Sequence, residues 1–358
     1  MPASDPGPGL TPSWRVLARE LVRISPAPHA HRVAVRAALA VSLPMAVLAA
    51  LGRSDLAVYA TFGAFAAVYG GGRRSSARWR LQATVGGILA AAVITGALLA
   101  LSPYRGWLGI PLTAGWAALG AALSDRNRWR PPGPMFPVFA VATASAIPST
   151  PATILAAAVV VIAAAALAVG LGLAEIAWTR LLNRPADPPA APGPPMPSAA
   201  RQRLHLIRCA VVVLVAGSIA TGVGIGHPYW AMVAAVAPLA VFSLRGQVAR
   251  GILRVAGTTI GLFLAAALLA LGLPVWSNLL LIAGLQAAAE LLVVRNYGLA
   301  LVFITPLALV SVQLASPQPV RSLITDRFVE TLIGVTVGVL AAIVTRNRET
   351  SRSGPAAR

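Results

Sequence analysis

Polar residues do not alternate with apolar ones along this chain; they punctuate long apolar stretches, several of which are long enough to cross a ~30 Å hydrocarbon layer as helices. Six such stretches fall at 33–51, 56–70, 80–101, 107–123, 135–148 and 152–178, and six more at 206–224, 228–243, 250–272, 276–293, 298–314 and 329–345. The pattern predicts an all-α integral membrane protein with about 12 transmembrane helices. The second, fifth, eighth and eleventh stretches are short for a crossing, so their helices must borrow from the flanks or be broken. Between the two sets lies RPADPPAAPGPPMPSAA, residues 184–200, too rich in proline to continue a helix. Ahead of the first set, TPSWRVLAREL, residues 11–21, places Trp14, Leu17 and Leu21 opposite Arg15 and Arg19, which predicts a helix lying in the inner membrane surface. The expected organisation is an N-terminal tail over 1–31, a first six-helix unit over 32–183, a linker over 184–202, a second unit over 203–346 and a tail over 347–358, with no large soluble domain.

Composition sharpens the class. Of 358 residues 57% are hydrophobic and 11% charged, against about 25% charged in an average soluble domain. The net charge of +19 suggests nucleic acid only if it is spread over a soluble surface. Instead the basic residues, every one an arginine, follow the loops. With the N-terminus cytoplasmic, 25 of the 29 fall in or beside cytoplasmic segments, and only Arg53, Arg105, Arg321 and Arg327 fall elsewhere. This positive-inside bias predicts both termini in the cytoplasm and no nucleic-acid partner. Without lysine there is no P-loop of the GK[ST] type and no Schiff base. The four histidines, His29, His31, His205 and His227, are too scattered for a metal cluster or a triad, so neither catalysis nor a cofactor is expected.

The two sets echo each other. Arg36 and Arg208 stand 172 residues apart, RLQATVGG at 80–87 pairs with RVAGTTIG at 254–261 at an offset of 174, Arg126-Asn127 pairs with Arg295-Asn296 at 169, and Gly172 with Gly338 at 166. Offsets that drift so little predict a duplication. An even number of crossings in each unit makes them two parallel six-helix repeats about an axis along the membrane normal. Small residues four apart in the shared pattern serve close helix packing, and the arginine at its start reads first as an anchor that snorkels to the surface.

A charge within the bilayer costs about 2.5–3.5 kcal/mol on insertion scales, so charges away from helix ends are candidates for function. Arg36 and Arg208, at matching positions, either anchor the helices or form a positive ring at the inner mouth that receives a carboxylate. Arg254 is an anchor or an anion contact. Glu290, one turn after Gln286, either pairs with Arg295 or serves as a protonatable group in a dry helix bundle that couples proton entry to export. Pro137 and Pro306 interrupt the short fifth and eleventh stretches; Thr305 and Pro306 then line a substrate path, with Asn296 and Tyr297 closing its inner end, or merely kink a packed helix. At the outer end, His227 and Trp230 open the eighth stretch, where Trp230 anchors at the interface or stacks on an aromatic acid. Asp326 is placed to cap the last helix, and Arg327 can pair with Glu330. Glu175 reads as interfacial and Cys209 as packing.

With these residues assembled, the chain resembles the fusaric acid resistance (FUSC)-like proteins of the aromatic acid exporter superfamily. The resemblance rests on HPYWAMVAAVAPLAVFSLRGQVARGILRVAGTTIG at 227–261, on RNYGLALVFITPLAL at 295–309 preceded by Glu290, and on RFVETLIGVTVGVL at 327–340. It implies a helical inner-membrane transporter, expected to export small organic anions such as aromatic carboxylates, with the lipid bilayer as partner; protons are a candidate coupling ion on the Glu290 reading alone. Many such proteins carry a large soluble domain, which is not expected here. An organic-anion channel and a non-transporting envelope scaffold are the other readings, and the oligomeric state is not legible.

Overall fold

The structure is a computed structural model and describes residues 21–25, 30–70, 75–182 and 198–345. The candidate surface helix at 11–20 and most of the proline-rich stretch lie outside these residues. Among the described residues there is no strand. The elements are α1 (Ala30–Ala50), α2 (Ala57–Ala64), α3 (Ser75–Leu99), α4 (Arg105–Asn127), α5 (Met135–Ala146) and α6 (Pro151–Leu181), then α7 (Ala199–Gly222), α8 (Tyr229–Val236), α9 (Leu244–Ala270), α10 (Val275–Val293), α11 (Tyr297–Ala315) and α12 (Val320–Val344). Nine of these described helices are long and apolar enough to cross a membrane; α2, α5 and α8, with their flanking turns, form shorter apolar segments. This is an all-helical membrane protein of several spans.

The helix ends follow local chemistry. Thr150 caps α6 by accepting from the Thr153 N–H, with Pro151 in the first turn. Ser243 caps α9 through the Gly246 N–H and Asn296 caps α11 through the Leu299 N–H. Pro137 is the third residue of α5, where the backbone N–H has no intrahelical acceptor in any case, so it starts that helix rather than interrupting it. Pro306 sits inside an α11 that runs unbroken through it. The broken segments are instead the second and eighth. There α2 is flanked by 3₁₀ turns at Ser54–Leu56 and Phe65–Val68, and α8 stops at Pro238, which opens another. Every residue of α8 is buried, so it is a helix enclosed by protein.

Packing is parallel in the two sets. In the first, α3 packs on α5 and α6, and α6 packs on α2; in the second, α9 packs on α11 and α12, and α12 on α8. Between them α4 packs on α7 and α1 on α10. The apolar cores follow this interlock. One lies within α1–α6 around Phe62, Tyr69 and Trp129, but a second joins α4 and α5 to α7, α8 and α12, and a third joins α1 to α10 and α11 through Met45, Ile282 and Val310. Small residues permit the closest crossings. A Cβ added at Gly334 or Gly338 on α12 would lie 2.2 or 2.4 Å from the carbonyl oxygens of Ala231 and Ala235 on α8. These two glycines let α12 cover α8 at backbone distance.

Candidate functional site

A cavity of about 680 Å³, counting its open mouth, lies along the seam where α1, α2 and α5 meet α8, α10 and α11. Its apolar wall carries Phe62, Phe65, Phe139 and Tyr229, and its polar points are Thr61, Thr143, Gln286 and Ser311. The rings brace one another: Phe62 meets Phe139 edge-on at 5.2 Å, and Phe139 stacks on Tyr229 at 6.1 Å across the seam. No arginine lines it. The short α2 brings Thr61, Phe62 and Phe65 to the cavity from a segment that does not continue as a regular α-helix.

From Gln286 a polar chain leads away from the cavity. Its Nε2 donates to Glu290 Oε1 at 3.1 Å, and Glu290, 9% exposed, lies in the electrostatic reach of Arg36. Arg36, 4% exposed, pairs closely with Glu175 on α6 and donates through Nε to the Ala67 carbonyl at 3.0 Å. Arg78 completes the group, 3.4 Å from Glu175 and donating to the Gly172 carbonyl at 3.1 Å. Glu175 is therefore the shared counter-charge of two arginines. No ion pair joins Glu290 to Arg295 among the described residues; the Gln286 amide takes that place.

A second group of charges lies wholly in the second set. Arg254, 3% exposed, donates to the Tyr297 hydroxyl at 2.7 Å, and the Arg250 guanidinium lies 3.9 Å over the Tyr297 ring. Arg254 is ten residues into α9, about 15 Å along it, and does not reach the surface as an anchor would. Arg327, 4% exposed, lies 4.9 Å over the ring of Trp230 instead of pairing with Glu330. Trp230 is fully buried and stacks on His227 at 4.7 Å, so it is not an interfacial anchor. His227 is held at both ends: its backbone N–H donates to Glu330 Oε1 at 3.1 Å and its Nδ1 lies 3.1 Å from Asp326. Asp326 is in the second turn of α12, past the capping position, and its partner is that histidine.

The remaining candidates are dispersed. Arg208 donates to the Thr345 carbonyl, whereas Arg36 is held by Glu175 and the Ala67 carbonyl. Asn296 caps α11 and also donates to the carbonyls of Leu21 and Arg23, at 2.9 and 3.2 Å, while the Arg295 carbonyl accepts from the Ser25 N–H. This turn holds the N-terminal segment. Thr305 and Pro306 are buried, Thr305 against α9, where a Cβ at Gly261 would lie 2.8 Å from it; the cavity is lined by their helix neighbours Ile304, Leu307, Ala308 and Ser311. Sequence reasoning passed over the cavity aromatics and Arg78. The available signal was four of the eight phenylalanines, with Thr61 and Thr143, in two segments too short to cross alone.

Residues 213–341 match the family described as fusaric acid resistance protein-like. Over 153 residues the chain is 28% identical to a protein named as an uncharacterized membrane protein, YvaC of Bacillus subtilis (strain 168), a stretch that takes in 42% of this chain. The chain covers 24% of that relative's length. No solved structure matches it.

Proposed function

We propose that this membrane protein, fusaric acid resistance protein-like over residues 213–341, transports small organic anions with a flat apolar body, such as aromatic carboxylates, out of the cell through the seam between two parallel six-helix halves. Both termini then lie in the cytoplasm and the membrane is the plasma membrane. The observation that carries the reading is the seam cavity, in which four aromatic rings from both sides face a few hydrogen-bonding side chains. Its wall suits a ring better than a bare inorganic ion.

The chemistry follows from the atoms at its edge. The apolar body lies against Phe62, Phe65, Phe139 and Tyr229, and the carboxylate turns toward Gln286. While Glu290 is ionised it engages the Gln286 amide and repels a second carboxylate. A proton on Glu290 removes the repulsion and weakens its hold on the amide, and Gln286 Nε2, which has two N–H groups, donates to the substrate. Arg36 stands behind Glu290 with Glu175 and Arg78, so protonating Glu290 takes this group of two arginines and two glutamates from neutral to one net positive charge, which attracts a carboxylate. An inside-negative potential drives an anion outward by about 2.3 kcal/mol per charge per 100 mV, which favours export.

Flux of benzoate-class anions in proteoliposomes of the whole chain tests this. Expected are rates above empty vesicles, a loss on the order of tenfold in Gln286→Leu, and a Glu290→Gln variant whose flux ignores an imposed proton gradient. Rates equal to empty vesicles across a panel of aromatic and aliphatic carboxylates would sink the reading and leave a scaffold; wild-type flux indifferent to the gradient would leave a channel.

A further inference from the structure

The second-half arginines pose a question that the seam does not answer. None of Arg250, Arg254, Arg327 or Trp230 is among the cavity-lining residues, and the first three carry formal charge with no carboxylate within ion-pairing distance among the described residues. Glu330, one turn after Arg327, is fully buried, and its Oε1 is engaged by the His227 N–H. Even counted as a full counter-charge it leaves three arginines against one acid, because Asp326 faces His227. Buried charge without a partner is among the most expensive arrangements in a protein, and more so at bilayer depth.

The unfilled hydrogen-bonding groups point the same way. Arg250 Nε, Arg254 Nε, Arg327 Nε and Trp230 Nε1 are all buried, and all lack an acceptor. Each is an N–H donor; Glu330 Oε2 and Thr258 Oγ1 beside them are buried and unpartnered too, but one carboxylate cannot balance three guanidiniums, so donors and positive charge remain in excess. The four belong to one neighbourhood. Arg254 and Arg250 meet on Tyr297, Arg327 covers Trp230, and Arg327 lies within the electrostatic reach of both Arg254 and Tyr297. The site is closed: Trp230, Glu330 and Thr258 are fully buried. Buried donors in excess, with Glu330 Oε2 at one side, suit a small anion with no directional demand.

We infer that α8, α9, α11 and α12 together hold a resident inorganic anion of the halide class between Arg254 and Arg327, apart from the seam and independent of what crosses it. The anion neutralises part of the arginine charge and ties α9 to α12, so it acts as a structural ligand of the second half.

The test uses the whole chain, purified in gluconate at fixed ionic strength and titrated with bromide. Expected are a saturable rise in Tm of a few degrees and, in bromide-soaked crystals, an anomalous peak between Arg254 and Arg327. Arg254→Gln should shift the bromide midpoint at least tenfold higher, and Trp230→Phe should shift it in the same direction if Arg327→Gln does not fold. A Tm identical in gluconate and bromide would overturn the site, as would an unchanged midpoint in both Arg254→Gln and Trp230→Phe. Competition by benzoate for the bromide effect would overturn the inorganic source and assign these donors to a transported carboxylate instead. Benzoate flux is read separately, so a failed halide effect leaves the transport reading standing.

Discussion

RLQATVGG on α3 and RVAGTTIG on α9 share a pattern, and the fold uses them differently. Arg80 is exposed and lies near the ring of Trp79, whereas Arg254 is buried on Tyr297. The buried face of α3 runs through Leu81, Gln82, Val85, Gly86 and Leu89, and that of α9 through Gly257, Thr258, Gly261, Leu262 and Ala265. These sets correspond at 176 residues apart (81 to 257, 85 to 261), not at the 174 of the shared letters. A two-residue slip on a helix rotates a side chain by about 200°, which carries Arg80 to the outside and brings Arg78 to the position of Arg254. The two arginines that do correspond are then neutralised differently: Arg78 has Glu175, while Arg254 has a phenol. Likewise α6 carries Val161 and Ala164, both buried, 166 residues before Arg327 and Glu330 on α12. The buried polar cluster at that level thus belongs to the second half alone.

Removing Glu175 sets the largest expected difference between these regions. Glu175→Ala leaves Arg36 and Arg78 buried with no carboxylate bonded to them, and breaking a buried pair from one side costs about 3–5 kcal/mol. Thermal unfolding in detergent should show a Tm drop of many degrees. A drop no larger than that of an exposed substitution would mean that water or lipid headgroups already solvate these guanidiniums. Next comes Gly257→Ala. Its new Cβ would lie 2.3 Å from the Gly298 carbonyl oxygen, and backbone cannot turn aside as a side chain can, so about 1–3 kcal/mol is expected from forcing α9 off α11. Trypsin resistance and Tm read this directly; a neutral outcome would show that the two helices are not packed at this distance in the membrane.

How much of this was legible depended on whether the cause was local. Apolar run length fixes that a helix exists, because hydrocarbon leaves the backbone no other way to satisfy its groups, and the nine long spans among the described residues were accordingly readable. Which face turns inward was not. A helix apolar all round carries no face signal, and small residues alone cannot say whether they meet a neighbour, as Gly257 does, or nothing, as with Gly87. The partners that decide the charges are remote: Glu175 is 139 residues from Arg36, and Tyr297 is 43 from Arg254. Reading Trp230 as an interfacial anchor assumed that a tryptophan at a helix start faces lipid. In this fold α8 is covered by α12, α7 and α5, so the indole meets a guanidinium and an imidazole instead.

Tyr297→Phe probes the phenol contact with a smaller effect. The ring under Arg250 stays, but Arg254 loses the acceptor of its one hydrogen bond among the described residues, so about 1–2 kcal/mol should be lost. A bound halide would soften that loss, which makes the size of the Tm shift depend on the buffer anion; a shift equal in gluconate and bromide would speak against any anion beside Arg254.

At the small end, Arg80→Gln and Gly87→Ala test the register itself. Arg80 is exposed, its contact to Trp79 is a loose 5.6 Å, and a Cβ at Gly87 has nothing within 4 Å. Each change should therefore move stability by about 0.5 kcal/mol or less, or in the direction of gain for alanine in a helix. The matched changes on α9, Arg254→Gln and Gly261→Ala, act on a buried donor and on a glycine where an added Cβ would lie 3.0 Å from the carbonyl oxygens of Leu301 and Val302. Val302 is four residues before Pro306, so its carbonyl lacks the usual helical donor and faces α9 at that glycine. If the α3 pair proved as costly as the α9 pair, the shared letters would mark equivalent faces after all, and the 176-residue correspondence would have to be abandoned.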